Sequence, residues 1–165
     1  MIGKIIWLLV QGLIFLYIQL LLMPAFEIFS VIPSLLLPWM IYSVWKKPFE
    51  IVVPIVFVIA LMYDLSNPLL FGLQAMSFMI LCIGIDVSRI PFEASSTVAK
   101  VFAVVLSNLL YSVLGVFVHG MILGFASDTI LVYLIAFLIN TVFSFVFFWA
   151  MEFLSKLRII VADQD

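Results

Sequence analysis

The sequence predicts an all-α protein, a polytopic bundle of six transmembrane helices forming a single integral membrane domain over residues 1–165. Three observations carry this expectation. Hydrophobic residues make up 67% of the chain and charged residues 10%, where soluble domains carry about 25% charged residues. One soluble core could not hide that much apolar surface. The apolar residues also run in long unbroken stretches rather than in the short alternating segments of a membrane β-barrel. Finally, every Lys and Arg falls on one side of a six-crossing layout, the positive-inside pattern. Disorder is excluded because the chain is 16% aromatic, and disordered segments are poor in such residues.

The spans follow from apolar run length and lie near residues 5–23, 29–45, 49–63, 68–85, 101–121 and 130–153. The first is closed by Pro24, and the second contains Pro33 and Pro38. The third has a charge-free run of only thirteen residues, Ile51–Tyr63, a length that also suits a re-entrant segment. The cations decide for a crossing. Lys4 precedes span one, Lys46 and Lys47 separate spans two and three, Arg89 and Lys100 separate spans four and five, and Lys156 and Arg158 follow span six. With both termini in the cytoplasm all of these are inside, and the opposite loops carry only Glu27, Asp64 and Asp128. Without the third crossing the basic loops would divide between the two faces. The N-terminal stretch is too long for a signal peptide and is followed by no small-residue cleavage site, so it reads as a retained first span.

Polar residues in lipid need partners, and helices associate there through small residues and a few polar contacts. Span five carries Asn108, Ser112, Gly115 and His119 on one face; span six carries Ala136, Asn140 and Ser144; span four carries Gly72, Ala75, Met79 and Cys82, with Asp86 extending the line. These stripes read as bundle seams, or as the lining of a pocket or docking groove. Gln11 and Gln19 in span one each need a partner, and about 80° of helix rotation separates them. His119 reads as a residue at the outer end of span five. Asn67 followed by Pro68 reads as the start of span four, Asn capping free amides and Pro taking the first helical position. Asp64 then sits beside the positive end of span four. It either braces this turn, meets a partner, or is an intramembrane ionisable site. The inner loop over residues 86–93 contains both charge signs, with Arg89 near the end of span four. It reads as a membrane-surface loop or a contact for another protein.

Catalytic parts are sparse. Cys82 and His119 are the only Cys and His, which excludes a disulfide within the chain and a multi-thiolate metal site. An aspartic dyad like that of lipoprotein signal peptidase would need Asp64 and Asp128 to meet, and neither stands in that family's sequence surroundings. Phosphate loops and nucleophile elbows are missing. The sequence therefore reads as a non-enzyme with no cofactor and no nucleic-acid partner, acting through the bundle and its short loops.

The stretch IALMYDLSNPLLFGLQAMSFMI resembles the rod shape-determining protein MreD family. The shared pattern is an apolar span ending in Asp, a polar turn, Leu-Gly, a polar residue, and a small-residue apolar span; Asp64, Gly72 and Gln74 sit at the matching positions. Gln19 late in span one, Pro33-Ser34 at the second span and Asn140 in the last span also match. The family often has Gly after the Asp, where this chain has Asn67-Pro68. The resemblance implies a non-enzymatic scaffold in the bacterial inner membrane, supporting peptidoglycan synthesis and rod shape as part of the elongation (Rod) complex. Its implied partner is the bitopic protein MreC and, through it, MreB, RodA and an elongation-specific penicillin-binding transpeptidase. The implied fold is similar to the S-components of energy-coupling-factor transporters, so a substrate-binding transporter subunit is the alternative. Bulky span one, with Gly12 its only small residue, and short aliphatic outer loops weigh against that alternative. Gln19, Asp64, Asn67, Gly72, Gln74, Asn108 and Asn140 are the candidate structural or pocket residues. Phe143, Phe147 and Trp149 on aromatic-rich span six are the candidate contacts for a partner helix.

Overall fold

The computed structural model describes residues 2–89 and 96–162. They form six α-helices: α1 (Ile2–Leu21), α2 (Leu36–Lys46), α3 (Phe49–Asp64), α4 (Leu73–Arg89), α5 (Thr97–Leu123) and α6 (Ser127–Ala162). The protein is a helical membrane bundle. Helices α1, α5 and α6 are each long and apolar enough to cross a bilayer. Of the loop read over residues 86–93, the first four residues complete α4, and the remainder lies outside the described residues.

Helix α2 is the centre of the bundle. It contacts all five other helices, and every residue from Leu36 to Trp45 is buried. A helix apolar on all sides must be enclosed in this way. Its eleven residues reach only about 16 Å, half of a hydrocarbon core of about 30 Å. The second span is thus not a helix over residues 29–45. The chain leaves α1 through a 3-10 turn at Met23–Phe26 and makes a tight reversal in which Ile28 and Val31 pair. Phe29 and Ser30 take positive φ at its tip, as two-residue hairpin turns require. The chain then runs irregularly down to Leu35. Pro33 disfavours helix for the residue before it, and Pro38 is tolerated because it falls in the first turn of α2.

The fourth span is corrected for a similar reason. Pro68–Leu70 form a 3-10 turn, and α4 starts at Leu73. Asn67 makes no capping hydrogen bond with its side chain. In α1, Gly12 marks the tight crossing: a Cβ there would lie 2.9 Å from both the Trp39 ring and Ile59. At the far end of the bundle, Ser96 caps α5 by accepting the Ala99 N–H.

Candidate functional site: a polar pocket beside a capped helix

The turn between α3 and α4 is built around Asp64. Ser66 closes the end of α3, its hydroxyl donating to the Tyr63 carbonyl at 2.7 Å. The chain then passes through Gly72, whose φ of +88° lies in the left-handed region that favours glycine. Gly72 occupies the position just before α4, where a Ser or Asp side chain would normally accept the next free amides. Having no side chain, it leaves them to Asp64, eight residues upstream. The two Asp64 carboxylate oxygens accept the N–H groups of Gln74 and Ala75, each at 3.0 Å. The carboxylate is 5% exposed and lies on the positive end of the α4 dipole. Asp64 therefore braces the turn, and Asp64, Gly72 and Gln74 form one structural unit.

From there polar groups continue inward. The Tyr111 hydroxyl of α5 donates to Gln74 Oε1 at 3.0 Å. Across from it, the Tyr133 hydroxyl of α6 lies 2.8 Å from His119 Nδ1. The Tyr133 ring lies so close over Gly115 that a Cβ there would clash with it. His119 is thus an inward-facing partner of Tyr133. Together these groups surround a cavity of about 170 Å³ among α3, α4, α5 and α6, which Asn67 and Ser77 also line. The cavity lies where α3 ends and α4 begins, beside the longer α5, to which Tyr111, Gly115 and His119 belong.

Gln19 and Asn140 belong to a different site. Gln19 donates to the Pro33 carbonyl at 3.2 Å and accepts the Leu35 N–H at 2.5 Å. Asn140 Oδ1 accepts the Ser34 N–H at 2.8 Å. Two amide side chains, from α1 and α6, thus satisfy the irregular backbone above α2, which lipid could not. Asn108 serves a third site: it bonds Ser144 of α6 at 3.1 Å and the Val104 carbonyl at 2.8 Å. That pair is a bundle seam.

The aromatic run of α6 does not form one lipid-facing surface. Successive helical residues turn by about 100°, so the run distributes around the helix. Phe148 is buried against Tyr42. Phe147, expected to meet a partner, packs edge-on against Phe15 of α1 at 5.1 Å. Phe143 is half-buried, and Trp149 is 41% exposed.

A cluster at the basic end was not anticipated. Glu152 of α6 accepts from Lys100 of α5 at 2.7 Å and lies 3.5 Å from Lys46 of α2. Lys100 and Glu152 are both buried. The signal was available, since Glu152 is the one carboxylate inside span six and an intramembrane charge calls for a partner. Hydropathy alone places Lys100 in a loop, because the apolar run begins after it, whereas α5 starts at Thr97 and includes it. Lys47, beyond α2, is half-buried, and desolvation lowers its ammonium pKa.

Among the described residues, no three His, Cys, Asp or Glu side chains are grouped to hold a metal ion. Comparison with known families, with curated proteins and with solved structures gives no match.

Proposed function

We propose that this chain is a non-catalytic scaffold subunit of a bacterial cell-elongation complex, placed in the inner membrane with its basic end in the cytoplasm, and that it holds a bitopic partner of the MreC type. The observation that carries the reading is the Asp64–Gly72–Gln74 unit. The three residues on which the MreD resemblance chiefly rests act together in one turn of this chain, and that clustering is what supports the reading. Both Asp64 oxygens are occupied by helix amides, which suits a brace and not a general acid or base. A bundle of this kind works through contacts, and Trp149, whose ring meets Phe148 edge-on, is the most exposed of the three candidate contacts for a partner helix. Phe147 serves α1 instead.

The transporter-subunit alternative draws support from one feature, the polar cavity between α3 and α6. A single experiment separates the two. The full chain is co-expressed with its native MreC-type partner and, separately, with an energy-coupling transmembrane subunit and its ATPases. Co-purification with the bitopic protein alone is the expected result. A stable complex with the ATPase module alone would replace the scaffold reading with the transporter one.

A further inference from the structure

The pocket has a chemistry of its own. Among the described residues, Asp64 is its only carboxylate, no Lys or Arg lines it, and the rest of its polar lining consists of Asn, Gln, Ser, Tyr and His side chains. Gln74 and Ser77 are 9% and 5% exposed, so these are built-in groups rather than surface ones. A phosphate placed here would face a carboxylate with no Lys or Arg beside it, a costly arrangement in a site of low dielectric. Amide, hydroxyl and phenol groups both give and receive hydrogen bonds, which is what an uncharged hydroxylated group requires. Tyr63, Tyr111 and Tyr133 are part of the wall, and tyrosine combines an apolar body with a polar tip. An engineered cavity of about 150 Å³ holds a benzene-sized molecule, so about 170 Å³ suits one six-membered ring.

This polar pocket abuts an apolar one. Leu70, Leu73 and Ser77 line both it and a groove of about 400 Å³ between α4 and α5. That groove is walled by Met76, Ile80, Leu114 and Phe117 among others, and Met76 is 67% exposed. A polar cup without Lys or Arg, set against an exposed apolar groove, matches an amphiphile and not a free solute.

We infer that the site takes one lipid whose head is an uncharged, hydroxyl-bearing ring, seated among Gln74, Ser77 and the three tyrosines, with an acyl chain lying in the α4–α5 groove. The inference stands apart from the elongation reading, since it needs no protein partner. It also separates two sources of the same hydroxyl chemistry, a glycolipid head and a free sugar.

The test uses the full chain in a polyoxyethylene detergent, whose head carries no sugar. Native mass spectrometry measures binding of dioleoyl monoglucosylglycerol, dioleoyl phosphatidylglycerol, dioleoyl phosphatidylethanolamine and free glucose. The glycolipid is expected to bind at least ~10-fold more tightly than either phospholipid, about 1.4 kcal/mol, and glucose far more weakly than the glycolipid. Ser77→Leu fills the shared edge and Met76→Trp obstructs only the groove; each should weaken glycolipid binding at least ~10-fold. Because Met76 is exposed, its variant keeps the test decisive if Ser77→Leu fails to fold. Equal or tighter binding of phosphatidylglycerol would overturn the head-group assignment, and tighter phosphatidylethanolamine would do so in favour of a cation. Glucose binding as tightly as the lipid, or a folded Met76→Trp variant with unchanged affinity, would overturn the groove.

Discussion

The carboxylate of Asp64, the last residue of α3, accepts the backbone N–H of Gln74 in the first turn of α4 at 3.0 Å, ten residues along the chain. One side chain thereby ends one helix and starts the next. Removing it orphans two buried amides. Loss of a helix cap costs about 0.5–2 kcal/mol, and a buried unsatisfied donor about 1–3 kcal/mol. Asp64→Leu is expected to lower the thermal midpoint and the yield of folded protein. Asp64→Asn keeps one acceptor and should fall between Leu and wild type. Gly72→Ala meets no neighbouring atom, so its expected loss of about 1–2 kcal/mol comes from the left-handed backbone alone. Thermal denaturation of the purified variants in detergent checks all three. An Asp64→Leu protein as stable as wild type would refute the brace.

The segment from Pro33 to Leu35 is clamped from two sides, by Gln19 and by Asn140. Gln19→Leu leaves a buried carbonyl and a buried N–H without their partner, and Asn140→Leu leaves one N–H. Each should destabilise by about 1–3 kcal/mol per group. The double variant should lose less than the sum, because one freed loop is lost only once. A double-mutant cycle on the unfolding free energy measures this. Strict additivity would show that the two amides act independently.

The basic end is tied by a buried ion cluster, in which Glu152 meets Lys100 and Lys46. Glu152→Leu strands the buried Lys100 ammonium and should cost about 3–5 kcal/mol. Replacing both Lys100 and Glu152 by Met should recover most of that loss, since a well-packed apolar pair can match a buried ion pair. The comparison of single and double variants by thermal unfolding decides whether pairing, or only side-chain volume, matters there.

The one-sided cations predict six crossings with both termini in the cytoplasm. Reporter fusions after Asn67 and after Asp128 should read as periplasmic, and those after Lys47 and Arg158 as cytoplasmic. A cytoplasmic signal at Asn67 would remove the third crossing.

Hydropathy was sufficient to place six helices in order, because lipid forces backbone hydrogen bonds to close within each segment and so makes a helix of nearly every long apolar run. It was insufficient where prolines stand in such a run. Residues 29–35 are as apolar as a span, yet Pro33 and a two-residue reversal keep them irregular, and only the amides of Gln19 and Asn140, brought from opposite ends of the sequence, make that irregularity tolerable. The same limit applied at Asn67-Pro68, where local preference indicated a helix start and a remote carboxylate set it at Leu73 instead. Stripes at helical spacing identified Asn108, Gly115, His119, Asn140 and Ser144 as inward-facing, since periodicity is a property of one helix. Which stripe meets which, and that Asp64, Gln74, Tyr111, Tyr133 and His119 surround one cavity, depends on how four helices of unequal length are arranged around α2. That arrangement arises from contacts between residues far apart in the chain, and no single segment's spacing encodes it.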